Sequence, residues 1–221
     1  MNKKLLIAIA VPVILIAMVL GFFGFRWIKS TFFDGLKRDL PTFSKIYSNI
    51  PYDIIVQTGP RERIEITGDN KYGDKIEFEV LSGELKIKNN PRVPVERNGP
   101  QVLIFKKNIE TITLANKGDA KVDSMSGNQI ELESKDKGNI VVDNLTGKNL
   151  KATVRDSGDI TASGKVDNID ANIVNGSGKI NFLGVEAATA TKKDVGTGTI
   201  KLNPNTVVAG DEKKATTTKK K

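Results

Sequence analysis

At 221 residues the chain can bury one substantial core with accessories, but hardly two full domains. It contains neither Cys nor His, which excludes disulfides, thiolate or imidazole metal sites, Cys nucleophiles and His-based acid–base chemistry. Of the net charge of +8, residues 1–29 carry +4 and the tail from Ala209 carries +3, leaving +1 for everything between; a nearly neutral middle lacks the one-sided basic footprint of a nucleic-acid-binding domain, so no nucleic-acid partner is expected.

The stretch Leu5 to Phe25, "LLIAIAVPVILIAMVLGFFGF", has no charged residue. As a helix rising about 1.5 Å per residue it spans roughly the 30 Å hydrocarbon core of a bilayer. Pro12 is tolerated in a membrane helix, and Trp27 with Arg26 and Lys29 supplies an interfacial anchor. A cleaved signal peptide is the alternative, since "MNKK" also opens one; the length of the run and the lack of a small-x-small cleavage site favour an uncleaved anchor over residues 1–29. Lys3, Lys4 and the terminal amine place the N-terminus inside, although Arg26, Lys29, Lys37 and Arg38 reduce the asymmetry. The expectation is a single-pass membrane protein whose C-terminal domain is periplasmic or at the cell surface.

Residues 30–41 read as a short amphipathic connector closed by Pro41, and the domain proper as 42–208. Strand-like runs follow with period-2 alternation, as in Ile64 and Ile66 or Ile76, Phe78 and Val80. "LSGEL" predicts a hairpin turn at Gly83, and "NNPRVPVERNGP" predicts a loop. No helix is expected after the anchor and connector.

From residue 116 the chain repeats. Gly118, Gly138, Gly158, Gly178 and Gly198 stand 20 residues apart, and two residues after each comes Ala120, Ile140, Ile160, Ile180 or Ile200. Val122, Val142, Ala162, Phe182 and Leu202 follow on the same face. A second apolar pair recurs about ten residues later: Ile130 and Leu132, Leu150 and Ala152, Ile169 and Ala171 after a one-residue slip, then Ala188 and Ala190; Ile112 and Leu114 extend it backwards. A unit of 20 residues with two short strands cannot bury its apolar face alone, so the copies must stack. This predicts an all-β fold, a parallel β-solenoid of about 20 residues per coil, preceded by one transmembrane helix. Antiparallel hairpins in a meander are the alternative. In the solenoid each repeat glycine supplies a positive φ or a tight corner before the next strand.

One ladder invites metal chemistry. Asp119, Asn139 and Asp159 follow successive glycines, and Asn116, Asp136 and Asp156 precede them by two; stacked oxygens of this kind are a candidate Ca²⁺ ladder. Turn conformation is the preferred explanation of Asx beside Gly, since Lys117, Lys137 and Lys179 intrude and the series ends at Lys179 and Thr199. Hence no metal, no cofactor and no catalytic residue is nominated. Arg155 with Asp156 and Asp159 is the one cluster that hints at catalysis. Residues 209–221, "AGDEKKATTTKKK", read as a disordered basic tail.

"FSKIYSNIPYDIIVQTG", "IEITGDN", "GELKIKN" and the serial "GDI", "GKIN" and "GTIK" phrases resemble the head GIN domain family of putative auto-transporter adhesins over about residues 42–203. The resemblance implies an extracytoplasmic, non-enzymatic, solenoid-like domain of poorly defined function. Together with the anchor and the repeat, the expected use is adhesion or an envelope interaction scaffold. Its partners would be the membrane through the N-terminal helix and an envelope protein or cell-surface polymer. Two alternatives stand beside it: a carbohydrate-active β-helix enzyme, and a cytoplasm-facing sensor or assembly platform.

Overall fold

The computed structural model describes residues 37–68, 75–90 and 99–209. The expected membrane span, the basic tail from residue 210 and most of the proline-rich stretch lie outside the described residues. Among these residues no helix is long and apolar enough to cross a membrane, and every regular element is a strand. In chain order they are β1 (Lys37–Asp39), β2 (Lys45–Asn49), β3 (Ile54–Gln57), β4 (Arg63–Thr67), β5 (Ile76–Leu81), β6 (Glu84–Asn89), β7 (Gln101–Phe105) and β8 (Thr111–Leu114). Then come β9 (Ala120–Val122), β10 (Met125–Ser134), β11 (Ile140–Val154), β12 (Ile160–Ile173), β13 (Lys179–Asp194), β14 (Thr199–Leu202) and β15 (Val207–Val208).

Pairing decides between stack and meander. Ile140 sits opposite Ile160, Ile160 opposite Ile180, and Ile180 opposite Ile200, every pair parallel. A meander would make them antiparallel; parallel pairing at a fixed offset of one repeat is a solenoid. Like residues therefore stack in ladders, and the isoleucine ladder is the core: Ile140, Ile160 and Ile180 are each 0% exposed.

Each coil has three inward runs, where the repeat predicted two. In β11 the alternation of buried and exposed residues breaks twice, at Asp143–Asn144 and at Lys148–Asn149, where consecutive residues turn outward. The runs between are Ile140–Val142, Leu145–Gly147 and Leu150–Val154. The middle run contributes one large side chain per coil, and neighbours complement one another. Gly164 lies opposite Leu145, and Val166 fills the space opposite Gly147.

One coil is out of step. A single residue, Ser163, stands where the coil before has Asp143 and Asn144, so Leu150 pairs Ile169 at an offset of 19 and Ile169 pairs Ala190 at 21. The residue regained is Asn175, held at φ 58°, a left-handed conformation that Asn tolerates better than most residues. The expected apolar pair Ala188 and Ala190 is thereby corrected. Ala190 takes the core position, its partner across from Ala171 is Lys192, and Ala188 is an exposed corner residue.

The N-terminal end interleaves chain segments. β2 pairs β8 and β3 pairs β9, both at an offset of 66 residues; the chain between them returns to the far side, where β6 pairs β2 and β7 pairs β3. Antiparallel strands finish this end. β4 pairs β7, β5 pairs β6 through a two-residue turn, and Ser82 and Gly83 both take positive φ (52° and 76°), as a type I′ hairpin requires. Residues 37–39, within the expected connector, form β1 and add to the edge of β4. Its three charged, exposed residues suit an edge that must not pair further.

Candidate functional site

The repeat glycines are explained by close approach. None of the five lies in the left-handed φ region, which among the described glycines is confined to Gly68, Gly83 and Gly164. A side chain at Gly138 would run into the carbonyl oxygen of Gly118 and stand 2.8 Å from that of Asn116; at Gly178 it would meet the Gly158 carbonyl and stand 2.7 Å from Val154 Cγ1. Coils stack there backbone on backbone, with the Gly138 N–H bonded to the Asn116 carbonyl and the Gly158 N–H to that of Asp136. Of the two roles expected from sequence, the tight corner holds and the positive φ does not.

The Asx ladder has a defined geometry. Asp53 Oδ1 accepts from the Asp119 N–H (3.1 Å), Asp119 Oδ1 from the Asn139 N–H (2.8 Å), Asn139 Oδ1 from the Asp159 N–H (2.9 Å), and Asp159 Oδ1 from the Lys179 N–H (2.8 Å). Each oxygen caps the next coil, and Asn139 Nδ2 also donates to Asp119 at 3.0 Å. Oxygens already accepting N–H bonds satisfy corner amides, the role side-chain oxygens take wherever backbone donors lack a ladder partner. Among the described residues no group of three or more acidic side chains is placed to hold a metal ion. Asp53, missed by the repeat because its corner has Tyr52 in place of glycine, could have been found from its place one residue before the buried Ile54, as Asp119 precedes Ala120.

Arg155 does not join Asp156 and Asp159. Its Nε donates to Glu133 Oε1 at 2.6 Å, one coil back, and Lys135 shares the same carboxylate at 3.4 Å. The Lys135 ammonium also stands over the Tyr47 ring, 5.7 Å from its centroid. Asp159 is spent on the Lys179 N–H.

A groove of about 400 Å³ runs along the stack beside the second corner. One wall is the ladder Gln129, Asn149, Asn168, Thr189; the other contains Lys151, Asp170 and Thr191; Leu150, Ile169 and Ala190 lie between. The first wall is bonded lengthwise. Thr189 Oγ1 donates to Asn168 Oδ1 (2.6 Å), Asn168 Nδ2 to Asn149 Oδ1 (2.9 Å), and Asn149 Nδ2 to the Asn128 carbonyl (3.4 Å). On the second wall Asp170 Oδ1 accepts from both Thr191 Oγ1 (3.0 Å) and Asn172 Nδ2 (2.9 Å), and Lys151 Nζ donates to Glu131 Oε1 (2.8 Å). That hydrogen bond, with the charge of Glu131, raises the Lys151 pKa above its ordinary value, so at neutral pH the ammonium is a donor.

Comparison with known proteins agrees with this architecture. A "putative adhesin" from Bacteroides fragilis superposes with a TM-score of 0.70 at 21% identity, over 76% of this chain and 79% of that one. A "putative adhesin" from Parabacteroides distasonis gives 0.56 at 17% identity, over 76% and 82%, and one from Parabacteroides merdae 0.56 at 15%, over 79% and 94%. At these identities the likeness is one of fold. No curated protein matches the chain. The family described as "Putative auto-transporter adhesin, head GIN domain" matches residues 42–216, and with its glycine corners stacked one per coil the chain belongs to that family.

Proposed function

We propose that the chain is a non-enzymatic adhesion or interaction scaffold of the bacterial envelope, held in the membrane through residues 5–25 with its solenoid outside the cytoplasm. The observation that carries this reading is the in-register stack, which lays outward residues in straight rows. Lys121, Val141, Thr161, Asn181 and Lys201 form one such row, at successive ladder positions. Coils bonded on both sides keep such rows rigid, and a preorganised surface binds without the cost of ordering itself. Membership of a family described as adhesins, and adhesin-described structures of the same fold, support the same reading. The hydrophobic N-terminal run supports anchoring.

Topology is tested by C-terminal reporter fusions, one active only outside the cytoplasm and one only inside. Activity of the inside reporter alone would remove the scaffold reading in favour of a cytoplasm-facing platform. Adherence is tested with cells that express the full chain; deletion should lower attachment to a surface or to other cells, and unchanged attachment would count against the function.

A further inference from the structure

We infer that the axial groove is a binding site for a neutral, linear, hydroxyl-rich polymer, that is, a polysaccharide lying parallel to the stack. The inference rests on the scaffold reading above and names its ligand. Four ladder positions from Gln129 to Thr189 cover three coil steps, about 14 Å at the usual strand spacing of about 4.8 Å. A site that long and shallow suits an extended oligomer better than a single sugar.

Three further observations narrow the class. First, an amide has two N–H donors and an oxygen with two lone pairs. The lengthwise bonds of Asn168 use one donor and one oxygen lone pair, which leaves one of each for a ligand. A sugar hydroxyl is both donor and acceptor and matches such a pair at Asn168 and at Asn149, which is bonded in the same way, while Thr189, its hydrogen given to Asn168, offers an acceptor. Second, the backbone beneath the groove is consumed by the parallel ladders that join Leu150 to Ile169 and Ile169 to Ala190. An extended peptide therefore finds no open edge for strand addition here. Third, the charges alternate along the second row, from Glu131 just beyond the groove to Lys151 and Asp170 in its wall, and Lys151 is bonded to Glu131. This row favours neither a polyanion nor a polycation, while both Lys151 and Asp170 can bond hydroxyls.

The test uses the full chain, purified in detergent, on an array of immobilised linear oligosaccharides that includes neutral, anionic and amino-bearing members, with titration calorimetry on any hit. The inference expects a neutral member to bind. Asn168→Leu should weaken it about tenfold, the loss of a hydrogen bond worth roughly one power of ten. Gln129→Trp, which removes no ladder bond, should weaken binding by obstructing one end of the groove, and Lys88→Ala, in β6 at the N-terminal end of the stack, should leave it unchanged. Circular dichroism melts establish that each variant is folded. Failure of every neutral glycan to bind, binding confined to charged glycans, or wild-type affinity in Gln129→Trp would each overturn the inference. Cell attachment that depends on the chain but survives Gln129→Trp would overturn the groove assignment and keep the scaffold reading; attachment independent of the chain would remove the scaffold reading itself.

Discussion

Asn139→Asp tests whether the Asx ladder holds coils together or holds a cation. Asn139 lies between two carboxylates, bonded to Asp119 through its own Nδ2 at 3.0 Å and through its backbone N–H at 2.8 Å. A carboxylate at 139 removes the Nδ2–H donor, and a hydrogen bond to a charged acceptor is worth about 1.5–3 kcal/mol. It also places three like charges in a row. At a coil spacing of about 4.8 Å each adjacent pair repels by about 0.9 kcal/mol even at the dielectric constant of water. Two pairs and the lost bond give a destabilisation of about 3–5 kcal/mol at pH 7, or roughly 6–20 °C in Tm for a domain of this size. Protonation relieves the repulsion, so the penalty is complete at neutral pH and shrinks in acid, where a protonated carboxyl again supplies a donor. Thermal melts of wild type and variant from pH 3 to 8, with and without millimolar calcium, read both effects. A variant as stable as wild type at pH 7, or one stabilised by calcium while wild type also responds to it, would refute the hydrogen-bond reading and restore the cation site.

Other predictions address the corners, the core and one surface pair. Gly178→Ala should cost about 1–3 kcal/mol by urea denaturation because its Cβ meets the Gly158 carbonyl and Val154, and Gly178→Asn should be no better. At Gly83, with φ 76° and nothing within 4 Å, Gly83→Asn should cost under about 1 kcal/mol; equal tolerance of Asn at both glycines would undo the distinction. Ile180→Asp buries a charge at a fully enclosed position and should abolish the cooperative melt, whereas Lys179→Ala should stay within about 0.5 kcal/mol of wild type, since its bond to Asp159 comes from the backbone N–H. Glu131→Gln should remove about 0.2–1 kcal/mol, as exposed pairs do. Because the folded pKa of Lys151 is raised, that difference should be full from neutral pH to about pH 10 and vanish as pH rises through the raised value; a difference that persisted with Lys151 neutral would deny the ion pair its role.

The glycine period was legible because one backbone contact per coil forces one residue type, and the first run was legible because its isoleucines alternate without interruption. The middle run escaped notice because Met125, Leu145, Val166 and Val185 are single large residues separated by outward corners. Ala188 was misplaced since a missing residue at 163 and an added one at 175 cancel within a coil, which composition cannot reveal. The N-terminal coil was hidden more deeply: its strands were readable, but the 66-residue offset to their partners leaves no period to detect. The groove was invisible to motif reasoning, for its residues lie 19 to 21 apart and carry no shared identity beyond polarity.

The out-of-step coil shows where this fold can change its length. One corner holds a residue fewer than the same corner of the coil before, which offsets two of the three sides, yet the glycine corner on either side keeps its 20-residue beat because the extra residue at Asn175 restores the count before the next backbone contact. Single-residue insertions and losses are therefore admissible at the outer bends and lethal to stacking at the glycines, unless made good within the turn. Descent from such a sequence can reshape two sides of the rod one residue at a time, while the third advances only by whole coils.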